Sequence, residues 1–290
     1  MLIVCGPAST TLGHKVAETL GVRSVDVDSK LFPDGECYIR FMEDLKDDEA
    51  VIVQSTYPPS NIHLMQLFLM IDTALDLGVK SVSVVVPYLA YARQDKAFRP
   101  NEAVSIKTIL HILEGLKVGK LVTVTAHEPE VFQNAGFPCI NLSAIEVLSE
   151  YFMKAGIRRP MVFAPDKKAR RMAEEASRLI GGDYGWFSKE RDRITGEITM
   201  RRVDEHDVEG KDIILLDDII STGGTTATAV KMLREAGAER VFSACVHALL
   251  IDDAYQRILN SGAEAVVATD TIPRDVSLVT VAQIIAKAIK

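Results

Sequence analysis

The chain has 290 residues, 48% hydrophobic and 25% charged, a balance that excludes disordered and fibrous classes. Lysine and arginine number 33 against 40 aspartate and glutamate, a net charge of −7. Polyanion binders carry a basic surplus, so nucleic acid is not the expected partner, whereas a local cradle can still hold a small phosphate on an acidic protein. At about 150 residues per domain the length predicts two domains.

In chain order, residues 2–5 are a short apolar run that predicts a strand. The run is too short for a signal peptide and no basic region precedes it. Further buried-strand runs follow at 51–54, 81–86, 120–124, 161–164, 212–216, 241–246 and 265–268, rich in Val and Ile and without the alternation of a half-exposed strand. Between them lie helical patterns. Residues 61–77 place Ile62, Met65, Leu69 and Ala74 on related faces before Gly78, and residues 225–236 precede Gly237, with glycine as the stop signal in both cases. A short strand at 139–142 leads into another helix, and the expected domain boundary falls there, giving domains of 1–142 and 143–290. Residues 183–207 break the pattern with Lys189, Arg191, Arg193, Arg201 and Arg202 among acids and read as a charged hairpin. Strand–helix alternation of this kind implies an α/β fold, each domain a mainly parallel sheet flanked by helices.

The four cysteines, Cys5, Cys37, Cys139 and Cys245, are scattered and include no Cys-x-x-Cys pair. Their spacing predicts neither a disulfide framework nor a cysteine-based zinc site. No stretch approaches the roughly 20 apolar residues that cross a bilayer. A cytoplasmic protein with no membrane partner is expected.

The strongest chemical signal is Asp217-Asp218-Ile219-Ile220-Ser221-Thr222-Gly223-Gly224-Thr225, between the strand at 212–216 and the helix at 225–236. Open α/β sheets bind ligands beyond the carboxyl ends of their strands. Two glycines permit a tight loop, and the amides opening the next helix make an anion cradle. The hydroxyls of Ser221, Thr222 and Thr225 add donors. The two carboxylates suit vicinal hydroxyls or a bound cation. No lysine follows the glycines, so this is not a triphosphate-binding P-loop, and no Gly-x-Gly-x-x-Gly fingerprint occurs.

This segment resembles the phosphoribosyl pyrophosphate motif of type I phosphoribosyltransferases, in which the acids hold the ribose 2- and 3-hydroxyls and the loop holds the 5-phosphate. The resemblance implies two tandem phosphoribosyltransferase-like domains. The motif alone does not separate transferases, which consume that compound, from the synthase family that makes it.

Other segments resemble the synthase family, ribose-phosphate pyrophosphokinase, over nearly the whole chain. Phe32-Pro33-Asp34-Gly35-Glu36 is similar to its ATP-binding turn; Pro followed by Asp-Gly is itself a turn signal. The resemblance implies ATP contacts from Phe32, Asp34, Gly35 and Glu36. Arg93-Gln94-Asp95 resembles a second ATP segment, with Arg93 toward the phosphates, where a guanidinium gives bidentate donors, and Gln94 toward the adenine.

His127 and Asp166 stand where the family places a magnesium site, although Thr125 replaces an acid that many members carry and Lys167-Lys168 replaces small residues. Ser188-Lys189-Glu190-Arg191 resembles the catalytic loop, which makes Lys189 and Arg191 the expected catalytic cations and gives Arg191 a further contact to ribose 5-phosphate. The implied partners are ATP and ribose 5-phosphate, the implied cofactor is Mg²⁺, and a homo-oligomer is expected. A phosphoribosyltransferase and a non-catalytic relative that keeps the fold are the alternatives.

Overall fold

The computed structural model describes residues 1–191, 198–202 and 207–290, with the side chains of residue 134 and of 189–191 and 198–201 outside the description. The chain divides into two compact units: Met1–Ser143 with Thr271–Pro273 and Thr280–Lys290, and Ala144–Asp270 with Arg274–Val279.

The first unit opens with β1 (Leu2–Cys5), α1 (Thr10–Leu20), β2 (Ser24–Leu31), β3 (Cys37–Phe41), β4 (Glu49–Val53) and α2 (Ser60–Asp76). It continues through β5 (Ser81–Val86), α3 (Ser105–Gly115), β6 (Lys120–Val124), a 3₁₀ turn (Pro129–Asn134) and β7 (Cys139–Leu142). Its strands form one sheet in the order β3-β2-β1-β4-β5-β6-β7. All neighbours are parallel except β2 and β3, which form an antiparallel hairpin. Leu2, Val4, Ile52, Val84 and Leu121 on the strands and Leu67, Ile71, Ile109 and Leu113 on α2 and α3 share one buried cluster.

The second unit holds α4 (Ile145–Lys154), β8 (Met161–Ala164), α5 (Arg170–Ile180), β9 (Asp183–Arg191), β10 (Ile198–Arg202), β11 (Asp212–Ile220) and α6 (Gly224–Glu235). Then come β12 (Arg240–Ala248), α7 (Ala254–Asn260), β13 (Ala265–Thr269) and β14 (Ser277–Val279). Its sheet order, β10-β9-β8-β11-β12-β13-β14, repeats that of the first sheet strand for strand. Again only the first hairpin, β9 with β10, is antiparallel. Met161, Phe163, Ile213, Leu215, Val241 and Val266 bury against Val230 and Leu233 of α6 and Ile258 of α7.

Two expectations change. The segment expected to belong wholly to the second domain, 143–290, returns at its end to the first unit: α8 (Ala282–Ile289) packs on α1, β6 and β7. Four residues of α8, Ala282, Ile285, Ala286 and Ile289, face inward, spaced three and four apart as an apolar helix stripe requires. The strand predicted at 212–216 runs on to Ile220, so Asp217 and Asp218 lie inside β11 rather than just past it.

In each sheet the order reverses direction between two central strands, β1 and β4 in the first and β8 and β11 in the second. Crevices at such switch points are where open α/β sheets bind ligands.

Ile285 is fully buried, so Ile285→Ala is expected to destabilise the first unit by about 2–5 kcal/mol. Denaturation followed by far-ultraviolet circular dichroism would show the loss. Trp186, the single tryptophan, lies in the second unit; a shift confined to its fluorescence would instead place α8 with that unit.

Candidate active site

β11 is paired with β12 along almost its whole length, from Asp212↔Arg240 to Ile220↔Ala248. Its pairing with β8 stops at Leu215↔Phe163. The last residues of β11 therefore border the crevice on one edge while the other edge stays held in the sheet. Asp217 and Asp218 occupy this stretch, both half-buried. Each carboxylate accepts a nearby amide: Asp218 N–H donates to Asp217 Oδ1 at 2.9 Å and Ile219 N–H to Asp218 Oδ1 at 2.8 Å.

The chain then turns through Ser221, Thr222 and Gly223 into α6. Gly223 has φ +73°, in the left-handed region, and a Cβ there would come within 3.1 Å of the Ala254 carbonyl and 3.2 Å of Ile258 Cδ1. Only glycine meets both demands. Gly223 is also the N-cap of α6, and no side chain caps the helix, so its first amides are left for an external acceptor. Ser221 is half-buried, while Thr222, Gly224 and Thr225 are exposed around this end.

Across the switch point, Asp166 follows β8. Its Oδ1 accepts the amides of Lys168 at 2.9 Å and Ala169 at 3.2 Å, which fixes the carboxylate where α5 begins. Burial pushes the Asp217 carboxyl well above the usual carboxylate range, and the negative charges of Asp218 and Asp166 push it in the same direction. The three acids thus sense one another. Carboxylate oxygens under mutual repulsion are donors that a hard divalent cation would satisfy.

The loop has a support that no local motif announces. Arg257 of α7 donates to the Thr222 carbonyl and is itself held by Asp253 one turn earlier. Leu250 and Ile251 amides bond the carbonyls of Ile220 and Ser221 at 3.1 and 3.0 Å. Arg257 lies 35 positions from Thr222, and its only sequence trace is an ordinary charged helix face.

Lys189 and Arg191 fall on β9, opposite Met200 and Ile198 of β10, at the edge of the second sheet; their side chains lie outside the described residues. The expected hairpin is present as this pair of strands.

In the first unit the Phe32–Glu36 segment is the turn of the β2–β3 hairpin. Phe32 N–H donates to the Glu36 carbonyl at 2.9 Å, Gly35 N–H to the Phe32 carbonyl at 2.8 Å, and Glu36 N–H to Asp34 Oδ1 at 3.1 Å. The Phe32 ring is 40% exposed and meets Tyr38 edge-on, with the Lys30 ammonium 5.1 Å from its centre. Arg93 is exposed in the segment after β5. Gln94 uses its amide nitrogen within that segment, on the carbonyls of Lys96 and Ala103 at 3.4 and 3.3 Å.

The hairpin turn and Arg93 share the carboxyl edge of the sheet, but β1 and β4 stand between β2 and β5. At ~4.8 Å per strand the two segments are about 14 Å apart at their roots, so this unit does not gather them into one contact. His127, half-buried, follows β6 on the same edge. It belongs to the first unit and Asp166 to the second.

The sequence profile of the N-terminal domain of ribose phosphate pyrophosphokinase matches residues 1–116, and that of the phosphoribosyl transferase domain matches 139–271. The chain is 40% identical to the ribose-phosphate pyrophosphokinase of Methanothermobacter thermautotrophicus over 290 residues, all of both chains. It is 37% identical to that of Sulfurisphaera tokodaii over 98% of this chain and 97% of the relative. The chain belongs to the ribose-phosphate pyrophosphokinase family. The structure agrees: it superposes on the phosphoribosylpyrophosphate synthetase of Mycobacterium smegmatis with a TM-score of 0.87 at 32% identity, over 100% of this chain and 97% of that one. The match over residues 1–116 separates the chain from a plain transferase, which the second profile alone would not do. As a member of this family it is an enzyme.

The raised Asp217 carboxyl couples folding to pH. The folded state keeps a proton on this carboxyl at pH values where the unfolded chain, titrating near 3.8, has lost it, so stability falls as pH rises from about 4 through the folded value. Asp217→Asn removes that loss. It is expected to raise Tm near neutral pH, by about 2–4 °C for each kcal/mol relieved, with the gain vanishing toward pH ~4. Thermal melts of both proteins across pH test this; equal melting temperatures throughout would remove the repulsion from the folded state.

Proposed function

We propose that the second unit holds ribose 5-phosphate at the β11–α6 turn and that the first unit supplies the ATP contacts. The reaction is that of the family: phosphoribosyl pyrophosphate is formed at the expense of ATP. The anomeric 1-hydroxyl oxygen attacks the β-phosphorus of ATP, the bond from that phosphorus to the α-phosphate oxygen breaks, the hydroxyl proton is lost, and AMP leaves. The observation that carries this reading is the placing of two carboxylates on the open edge of β11, immediately before an uncapped helix N-terminus at the switch point.

In this reading the amides of Gly224 and Thr225, with the hydroxyls of Ser221, Thr222 and Thr225, receive the 5-phosphate. Gly223 shapes the turn, and Asp217 and Asp218 receive the ring hydroxyls. A terminal phosphate fixed at one end and two hydroxyls fixed on the ring leave the 1-hydroxyl in a single orientation, which is most of what such a transfer needs. Phe32, Asp34, Gly35 and Glu36 offer an aromatic face and acceptors for the nucleoside, and Arg93 offers charge to its phosphates. Gln94, whose amide nitrogen is engaged in its own segment, would reach adenine through its oxygen. Lys189 and Arg191 neutralise the charge that gathers on the transferring group, and Arg191 also reaches the ribose 5-phosphate.

The cation belongs to the same reading. Asp166 offers the oxygen donor that Mg²⁺ prefers, in a neighbourhood already crowded with negative charge, and His127 is the proposed nitrogen donor from the first unit. When bound, Mg²⁺ supplies charge neutralisation on phosphate oxygens. A cytoplasmic setting and assembly as a homo-oligomer complete the proposal.

Incubation with ATP, Mg²⁺ and ribose 5-phosphate is expected to yield AMP; pyrophosphate release from phosphoribosyl pyrophosphate plus a base, without AMP formation, would mark a transferase instead. Lys189→Ala is expected to lower kcat by about 3–4 kcal/mol of transition-state stabilisation, with modest change in either KM. Near-wild-type turnover would remove Lys189 from catalysis.

Arg257→Ala releases the back of the phosphate loop. Its expected effect is a rise in KM for ribose 5-phosphate of roughly tenfold, the scale of one charge-assisted hydrogen bond, with KM for ATP unchanged. Steady-state kinetics in each substrate decide this, and an unaltered sugar KM would mean the loop stands without Arg257.

A further inference from the structure

We propose that Cys5, His14 and Asp26 form a binding site for a thiophilic divalent cation of the zinc class, on the sheet face beneath α1 in the first unit. The pairing register sets Cys5 of β1 directly beside Asp26 of β2, and Ser24, two residues earlier on β2, shares the face of Asp26. His14 comes from α1, which lies over these strands. Its Nδ1 is 3.7 Å from Cys5 Sγ and 3.2 Å from Ser24 Oγ, and its Nε2 is 3.0 Å from Asp26 Oδ1. One donor atom from each of Cys5, His14 and Asp26 lies within 4.8 Å of the others.

The 3.7 Å between Cys5 Sγ and His14 Nδ1 is close to the edge of a tetrahedral centre, whereas the 3.0 Å contact to Asp26 is made by the other ring nitrogen and closes on the cation only after a side chain moves. Bonds of about 2.0–2.3 Å to nitrogen, oxygen and sulfur put neighbouring donors roughly 3.3–3.6 Å apart. Binding needs the Asp26 carboxylate to swing to the Nδ1 side, or the imidazole to change rotamer, so that one nitrogen faces both partners, and the exposure of both side chains leaves room for this. The thiol is 1% exposed, whereas the His14 and Asp26 side chains are 46% and 54% exposed. The soft ligand is thus anchored inside and the harder ligands open outward, giving an entry path and a fourth position for the Ser24 hydroxyl or water. Gly13 makes the approach possible, because a Cβ there would stand 2.7 Å from Cys5 Sγ.

Without a cation the site is poorly suited to any other thiol chemistry. Burial, with the nearby Asp26 charge adding to it, pushes the Cys5 thiol up to about 12, so it is protonated and unreactive as a nucleophile. Metal entry replaces that proton: the S–H bond breaks, sulfur binds the cation, and one proton passes to solvent. The mixed sulfur, nitrogen and oxygen set favours zinc-class ions over Mg²⁺, which takes oxygen ligands. A cation here would tie α1 to β1 and β2, and so lock one flank of the first unit.

The test is a titration of the metal-stripped full-length protein with Co²⁺ in excess Mg²⁺. One equivalent is expected to raise a thiolate-to-cobalt charge-transfer band that Cys5→Ala abolishes. His14→Gln, an exposed change on α1, removes a ligand and is expected to weaken binding by at least the roughly tenfold that loss of an outer-shell partner costs, and to shrink the rise in Tm that Zn²⁺ gives the wild type. No band in the wild type, or a band unaltered in Cys5→Ala, overturns the proposal. Should Cys5→Ala fail to fold, equal affinity and an equal Zn²⁺-induced Tm rise in wild type and His14→Gln overturn it equally.

Discussion

The second unit is organised around a strand that outruns one of its neighbours. β11 keeps its hydrogen bonds to β12 to the end but loses β8 after Leu215, so its last residues are rigid on one edge and open on the other. A position of that kind suits charged ligand-binding groups. Polar atoms facing the crevice are not sealed away, yet the backbone carrying them cannot drift. The crowding of Asp217, Asp218 and Asp166 is tolerated there because the sheet, not the acids, holds the geometry. Near neutral pH the crowding is met by a proton held on Asp217, which a cation would displace.

Both units have the same strand order, yet their switch points are used differently. In the first unit the crevice is filled from within. Gln54 Oε1 accepts the Ala8 amide at 2.9 Å, and Ser9 Oγ accepts the Ser55 amide at 2.8 Å. The segment leading into α2 has no glycine, and Pro59 stands at the N-cap. Without glycine the tight anion-cradling bend is unavailable. The recognisable ligand segments of this unit sit instead on the hairpin turn after β2 and the segment after β5. One fold, repeated, thus carries a glycine-shaped bend at the switch point of one half and, in the other, places the proposed ligand segments at the periphery.

What the sequence made legible follows from what each element buries. The eight strands read as apolar runs are parallel strands with largely buried residues, and all eight appear, as does the short edge strand at 139–142. The pair β2 and β3 escaped that reading because Ser-Val-Asp-Val-Asp-Ser-Lys-Leu alternates and stays largely exposed, and only the Asp-Gly turn between the two strands gave a signal. The second domain ran too far because no composition change marks where the chain returns to pack α8 on α1. The β11–α6 bend was legible because its backbone conformation demands glycine at a specific position. Arg257 was not, since a hydrogen bond to a distant carbonyl leaves no local pattern. The cluster of Cys5, His14 and Asp26 was invisible for the same reason: its spacing is set by strand register and a helix crossing, not by a motif.

The role of Arg257 extends beyond bracing. A peptide unit is planar and trans, so a carbonyl and the amide of the next residue point in opposite directions. When Arg257 fixes the Thr222 carbonyl toward α7, it turns the Gly223 N–H away from α7. Ala254 and Ile258, packed behind Gly223, prevent the turn from rolling back. One face of the bend is thus committed to α7, and the Gly223 N–H lies on the other. The shape of the bend is therefore a property of two helices, with α6 beginning at Gly223 and α7 fixing the peptide that precedes it.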